Sequence, residues 1–360
     1  MSLRDFRRHV GRLAVVGFAG TSVPDDLRRL VAEFDLGGVI YFRRNVESPR
    51  QVAELSREVT ALARDWPLWI SVDQEGGRVA RLREPFTEWP PAITLGRSGS
   101  DELAARFARA LAAELRAVGI NLDYAPVLDV HTNPSNPVIG DRALAEDARL
   151  AARLGAILIG NLQGSGVTAC GKHFPGHGDT SVDSHEALPV LEHERPRFEQ
   201  VEFVPFIRAI EAGVRTIMTA HVLAPALDDE HIASFSHRIV DGLLKNTLGF
   251  PGVVISDDLG MKAVSATHSP GEAATAAIAA GCDVVLLCNH TIDEQVEALE
   301  ALIRAAESGL IPQARIDDAM RRQHDAKLSL LDAHRLEPVS IDVVGCIEHR
   351  TVAAEMATWV

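Results

Sequence analysis

Gly37-Gly38-Val39-Ile40-Tyr41-Phe42 is an apolar run of strand length; a polar connection leads to Ser48-Pro49, and a second run, Leu68-Trp69-Ile70-Ser71-Val72-Asp73-Gln74, closes the stretch. Between the two, Val52, Leu55, Val59 and Leu62 recur at three- and four-residue intervals, which puts them on one face of a helix within 48–64. Ser48 is a favoured cap, and Pro49 suits a first helical turn, where its missing N–H costs nothing. Both strand runs are strongly apolar rather than alternating, as expected where helices cover a parallel sheet on both faces. Residues 37–74 therefore read as strand, helix, parallel strand.

The same unit recurs along the chain. Apolar runs at 12–18, 37–42, 68–74, 120–129, 167–172, 215–222, 252–257 and 282–288 are candidate strands, with amphipathic stretches between them. One later helix opens on a Thr291/Glu294 capping box and ends at Gly309. Eight such units predict a (β/α)8 TIM-type barrel, an α/β fold, against the competing open, doubly wound sheet. A further helix is expected around 312–331. No linker divides the chain, so 1–335 reads as one barrel domain and 336–360, which has no clear period, as a C-terminal extension, either a tail or a small packed appendage.

Composition narrows the function classes. The 360 residues are 46% hydrophobic and 24% charged, which is globular, and 36 Lys+Arg against 50 Asp+Glu leave a net charge of −14. No run of basic residues offers a phosphate-binding stripe, so nucleic acid and anionic membrane are poor partners. Cys170, Cys282, Cys288 and Cys346 are scattered without a C-x-x-C pair and read as reduced core thiols. The polar N-terminus is unlike a signal peptide and no apolar run is long enough to span a bilayer, so a cytoplasmic protein is expected. No G-x-G-x-x-G opens a helix after the first strand and no Walker A sequence occurs, which argues against NAD and ATP; no cofactor is expected.

In such barrels the chemistry sits at the C-terminal ends of the strands. Here those ends carry Asp73-Gln74-Glu75-Gly76-Gly77-Arg78 with Arg81, then Asp129 with Arg142 in the loop beyond, Lys172-His173, His221, and Asp257-Asp258. Asp183 and His185 stand two apart after the glycine-broken stretch Pro175-Gly176-His177-Gly178, in which the glycines are read as letting the loop move. In extended chain they share a side, where a carboxylate orients an imidazole and favours its protonated form. Asp257 terminates the buried run Val253-Val254-Ile255-Ser256, a rigid mount for a nucleophile. A retaining glycosidase needs an attacking carboxylate and a separate proton donor, roles open to Asp257 and His185. Asp73, Arg81, Arg142, Lys172 and His173 would then bind sugar hydroxyl or acetamido groups.

Three motifs, Asp73 to Val79, Lys172 to Thr180 with Asp183-Ser184-His185, and Ser256-Asp257-Asp258-Leu259-Gly260-Met261, resemble glycoside hydrolase family 3, in particular its bacterial β-N-acetylhexosaminidase branch, over roughly 10–330. The resemblance implies Asp257 as nucleophile, His185 as acid/base assisted by Asp183, and Asp73, Arg81, Arg142, Lys172 and His173 as ligands of a terminal N-acetylglucosamine. It also implies cytoplasmic removal of that sugar from muropeptides or anhydro-disaccharides. Related β-glucosidases usually take their acid/base from an additional C-terminal domain, which is not expected here. Gly260 replaces a serine common in relatives, a change confined to the turn.

Other readings compete. On the same site phosphate could replace water as acceptor, because an imidazole does not repel it as a carboxylate does. His173, His177, Asp179, Asp183 and His185 could hold a metal in a metal-dependent hydrolase, though no zinc spacing is present. A non-catalytic sugar-binding barrel is the third reading. His177 and Asp179 are expected to brace the loop. Asp258 reads as structural, and His221 as either a mouth ligand or a satisfied core histidine. Asp123 and Asp129 are expected to partner arginines, Glu75 to hold Arg78 or Arg81, and Arg43 and Arg44 to be solvated loop charges unless one bridges to a mouth carboxylate.

Overall fold

A computed structural model describes residues 3–184, 187–333 and 337–360, with backbone alone at 3–5 and 329–333. Eight strands form the barrel: β1 (Ala14–Gly17), β2 (Gly38–Tyr41), β3 (Trp69–Val72), β4 (Leu122–Asp123), β5 (Thr168–Phe174), β6 (Thr216–Thr219), β7 (Val253–Asp258) and β8 (Val284–Leu287). Each pairs in parallel with its neighbours in chain order, and β8 closes on β1 with Val15 opposite Leu286. Closure excludes the open, doubly wound alternative. Every residue of β1, β2, β3, β5, β6 and β8 is buried, which is why these strands read as continuous apolar runs.

The helices start where the caps indicate. Ser48 Oγ accepts the Gln51 N–H at 3.2 Å to open Pro49–Thr60, and Thr291 and Glu294 form a reciprocal capping box before Ile292–Glu307. Inside the barrel, Val15, Ile40, Trp69, Leu122, Tyr124, Cys170 and Met218 fill the lumen, so it is a packed core with no channel. The helix Gln313–Ala333 shuts the end opposite the strand C-termini: Ala326 packs on that core and Lys327 Nζ donates to the Gly37 carbonyl at 2.8 Å.

Three local departures matter. The expected strand 120–129 is broken, because Pro126 has no N–H for the ladder; pairing stops at Asp123 and resumes as a single bridge between Val127 and Lys172. The chain past β3 leaves the barrel as a two-stranded hairpin, Gln74–Gly76 with Val79–Ala80. The β5 ladder slips between Lys172 and Phe174. Such an irregularity re-aims side chains, and it lets consecutive residues Lys172 and His173 both face the mouth.

The extension is packed. A 3₁₀ turn, Ile341–Val343, precedes the helix Ile347–Ala357, whose Val352, Ala353 and Met356 are buried beside the helices Ile93–Ser98 and Asp101–Ala117. All four cysteines are free thiols; Cys170, Cys282 and Cys288 lie in the core as expected, whereas Cys346, in the extension, is only partly buried. Among the described residues, no helix is long and apolar enough to cross a membrane.

Candidate active site

The ends of β3 and β5 meet in an alternating charge cluster. Lys172 Nζ lies 2.9 Å from Asp73 Oδ1 and 2.6 Å from Glu75 Oε1. Arg142 grips Glu75 with both arms, Nε to Oε2 at 2.8 Å and Nη2 to Oε1 at 2.9 Å, while Arg81 reaches Asp73 Oδ2 at 3.2 Å. Burial alone would raise the carboxyl groups, but the cations outweigh it: Lys172 and Arg81 hold Asp73 well below its usual range, and Arg142 and Lys172 hold Glu75 at about 2. Burial likewise opposes the charge on Lys172, yet Asp73 and Glu75 push its titration upward. Asp73 and Arg81, with 17% and 29% of their side chains exposed, present polar atoms to the mouth; Glu75 and Lys172, at 3% and 2%, lie beneath them.

Beside this cluster, His173 Nδ1 is 2.7 Å from Asp129 Oδ2, and its Nε2 is 3.5 Å from Arg142 Nη2. Asp129 also accepts the His177 N–H at 2.7 Å, which starts the loop after β5. The loop is then tethered: Asn136 donates to the His177 carbonyl, Asn133 to that of Thr180, and Thr132 to Asp179. A side chain at Gly178 would lie 1.8 Å from the Val130 carbonyl and one at Gly176 would lie 2.8 Å from Glu202, so these glycines serve close packing, not a hinge. Further along, the Ser184 carbonyl accepts the Ala263 N–H at 3.2 Å, which joins Ser184 to the short helix Lys262–Ser265 after β7. His185 itself lies outside the described residues. Asp183 is described, and its carbonyl accepts the Ala187 N–H.

The two aspartates ending β7 differ. Asp258 is consumed by structure, accepting the N–H groups of Gly260 and Cys288 at 3.1 and 3.0 Å and the Asn289 amide. Asp257 is half-buried; its Oδ1 accepts the Asp258 N–H at 2.8 Å, and among the described residues it meets no Lys or Arg. Its charge acts on His177 and His221 nearby. Both histidines are nonetheless kept neutral by burial, His177 at about 4, and both rings are bonded through each nitrogen, His177 to Thr180 and Ser184, His221 to Ser234 and the Asp258 carbonyl. His221 is thus a satisfied buried histidine.

Several expected partners are different. Glu75 holds Arg142 and Lys172, while Arg78 bonds Asp141. Asp129 takes His173, and Asp123 Oδ1 takes the Gln74 N–H at 2.9 Å, so among the described residues neither is bonded to an arginine. Arg44 reaches carbonyls of Phe18 and Cys288 and the Asn289 side chain, joining three mouth loops and meeting no carboxylate among the described residues. His173, His177 and Asp179 each serve a different partner; among the described residues the group with metal-ligand spacing is Asp228, Glu230 and His231, outside this loop. Sequence reasoning missed Phe42, at the end of β2, whose ring lies 4.6 Å from the Arg44 guanidinium and 5.4 Å from that of Arg81. It also missed Gln74, whose Oε1 accepts the N–H groups of Arg81 and Leu82 and thereby sets the Arg81 turn.

Lys172→Met tests the cluster. It leaves the buried Glu75 and the partly buried Asp73 short of a cation, so a stability loss of about 3–5 kcal/mol is expected from urea denaturation at pH 7. Because Glu75 titrates at about 2 when folded against an ordinary 4.5, its contribution is complete above 4.5 and lost as pH falls toward 2. The gap between wild type and variant should therefore begin to close below about 4.5. A loss under about 1 kcal/mol would show that the charges are already solvated.

The model of the glycosyl hydrolase family 3 N-terminal domain matches residues 6–325. The chain is 34% identical to beta-hexosaminidase A of Pseudoalteromonas piscicida over 94% of its own length and 61% of that protein, and 40% identical to a beta-hexosaminidase of Nitrosomonas eutropha over 84% and 88%. Among solved structures, a family 3 β-N-acetylglucosaminidase from a Paenibacillus species superposes with a TM-score of 0.93 at 42% identity, over 100% of this chain and 69% of that one.

Proposed function

The chain belongs to glycosyl hydrolase family 3, and from that premise we propose that it is a retaining exo-β-N-acetylglucosaminidase that removes terminal N-acetylglucosamine from peptidoglycan-derived muropeptides or anhydro-disaccharides. Asp257 attacks the anomeric carbon while His185, oriented and charged by Asp183, gives its proton to the glycosidic oxygen. In the second step neutral His185 takes a proton from water, which attacks the glycosyl-aspartate and restores the β-configuration. Asp73, Arg81, Arg142, Lys172 and His173 form the polar wall that orients the sugar, with Asp73 and Arg81 most open to it.

The observation that carries this reading is the contrast between carboxylates. Asp73 and Glu75 are neutralised by cations and Asp258 is filled by N–H donors, whereas Asp257 carries its charge at the end of a rigid strand without a Lys or Arg partner among the described residues. An attacking carboxylate needs that freedom, since an ion pair would have to break before the bond forms. Burial of His177 and His221 also removes both as proton donors near neutrality. The test is incubation with N-acetylglucosaminyl-anhydro-muramic acid, with and without phosphate, followed by mass analysis. Free N-acetylglucosamine in both arms supports the hydrolase; N-acetylglucosamine 1-phosphate in the phosphate arm assigns phosphate as acceptor; intact disaccharide in both overturns the substrate.

A further inference from the structure

The C-terminal segment is wired to the back of the loop whose front carries Asp73, Glu75 and Arg81. Its anchor is Glu114, a buried carboxylate inside the helix Asp101–Ala117. Glu114 Oε1 accepts from His349 Nδ1 at 2.8 Å and from the Gly345 N–H at 3.0 Å, both in the extension. The same carboxylate accepts the Thr87 hydroxyl at 2.5 Å and the Thr87 N–H at 3.0 Å, both in the loop after β3. One side chain thus joins extension and loop. Gly345, at φ +64°, passes so close to Pro85 that a Cβ would lie 2.1 Å from its carbonyl.

From Thr87 the contact runs directly to the site. Trp89 is buried, packs edge-on to Phe107 with centroids 5.0 Å apart, and lies 6.4 Å from the His349 ring. Its carbonyl accepts the Gly77 N–H at 2.8 Å. Gly76 and Gly77, with φ of +101° and +55°, leave no room for a Cβ, which would meet the Pro90 carbonyl at 2.6 Å and Pro91 at 2.8 Å. The turn from Asp73 to Arg81 is therefore seated on residues 89–91, and these rest on the Glu114 knot. Arg106 closes the outside with a forked pair to Glu355 at 2.8 and 2.7 Å.

The geometry points to residues 341–357 as a positioning element of the sugar site, with His349 and Glu114 as positioning residues that fix where Asp73 and Arg81 stand. This rests on the reading that Asp73 and Arg81 bind the sugar. A displaced wall weakens ground state and transition state alike, which raises KM and leaves kcat, whereas a merely structural clasp lowers the melting temperature and leaves KM.

The experiment compares wild type, His349→Ala and His349→Asn at 25 °C, where all are folded, with an aryl N-acetyl-β-glucosaminide. Amide hydrogen exchange over 73–91 is measured in parallel, with the helix 148–164 as internal reference. His349→Ala is expected to raise KM about tenfold with kcat within about twofold, and to speed exchange over 73–91 alone. His349→Asn, whose amide can donate from the place of Nδ1, should restore both. Unchanged KM and unchanged exchange in His349→Ala would overturn the proposal even if its melting point falls. If wild type does not cleave the aryl substrate, the functional reading fails, and exchange still decides whether the extension holds the loop. Should His349→Ala not fold, Glu355→Gln, which loosens the same helix from its exposed side, carries the same comparison with a smaller expected effect.

Discussion

Asp257→Ala is expected to lower kcat on an aryl N-acetyl-β-glucosaminide by about 10⁴-fold or more with the fold retained. The fold should survive because β7 is held by Val253, Val254, Ile255 and Ser256, all buried, while the Asp257 side chain is half-buried and bonds the adjacent Asp258 N–H. Losing that acceptor at a partly wetted position costs about 1 kcal/mol, so near-normal denaturation would separate chemical from structural failure. The truncation also leaves a space beside the anomeric carbon. Azide added at high concentration should occupy it, attack from the face Asp257 used, and give the α-glycosyl azide, because a single displacement inverts the configuration that two would retain. Turnover above about 1% of wild type, or a β-configured azide product, would remove Asp257 from the role of nucleophile.

What was legible in the sequence follows from how local each signal is. The eight strands could be read because burial on both faces makes each run apolar without reference to its neighbours, as Val284–Leu287 and Trp69–Val72 show. Ser48 and Thr291 were readable because a cap and its N–H partner lie three residues apart. The failures are all nonlocal or cancel locally. Glu75 and Arg142 are separated by 67 positions and meet because β4 pairs directly with β3, which sets the chain after β3 and the loop after β4 side by side. Nothing near either residue announces the pair. Phe42 was absorbed into an apolar run, although its ring stands at the mouth between two guanidinium groups. The last helix gave no period because few of its residues, chiefly Val352, Ala353 and Met356, face the protein. Gly176 and Gly178 show a further ambiguity: glycine marks either freedom or tight contact, and only the facing backbone distinguishes them.

His185→Ala should produce a loss that depends on what leaves. An aryl group whose phenol is a strong acid departs as the anion, so the first step needs little proton donation and should slow by less than about tenfold. A sugar or alkyl alcohol departs as a poor anion, and its cleavage should fall by about 10³-fold, within the range that a positioned general acid contributes. The second step changes as well. With no base to take the proton from water, the glycosyl-aspartate on Asp257 should accumulate, which appears as a burst of released phenol followed by slow turnover and a lowered KM. Azide, which attacks without giving up a proton, should restore the steady rate with the activated substrate and give the β-azide, in contrast to the α-product expected from Asp257→Ala. Neither His177 nor His221 can take over: His177 titrates at about 4 and is bonded through both ring nitrogens, and His221 is buried between Ser234 and the Asp258 carbonyl. Equal losses on activated and unactivated substrates, with no burst, would mean that the proton comes from elsewhere, and the Asp183–His185 assignment would have to be abandoned while Asp257 stands or falls on its own test.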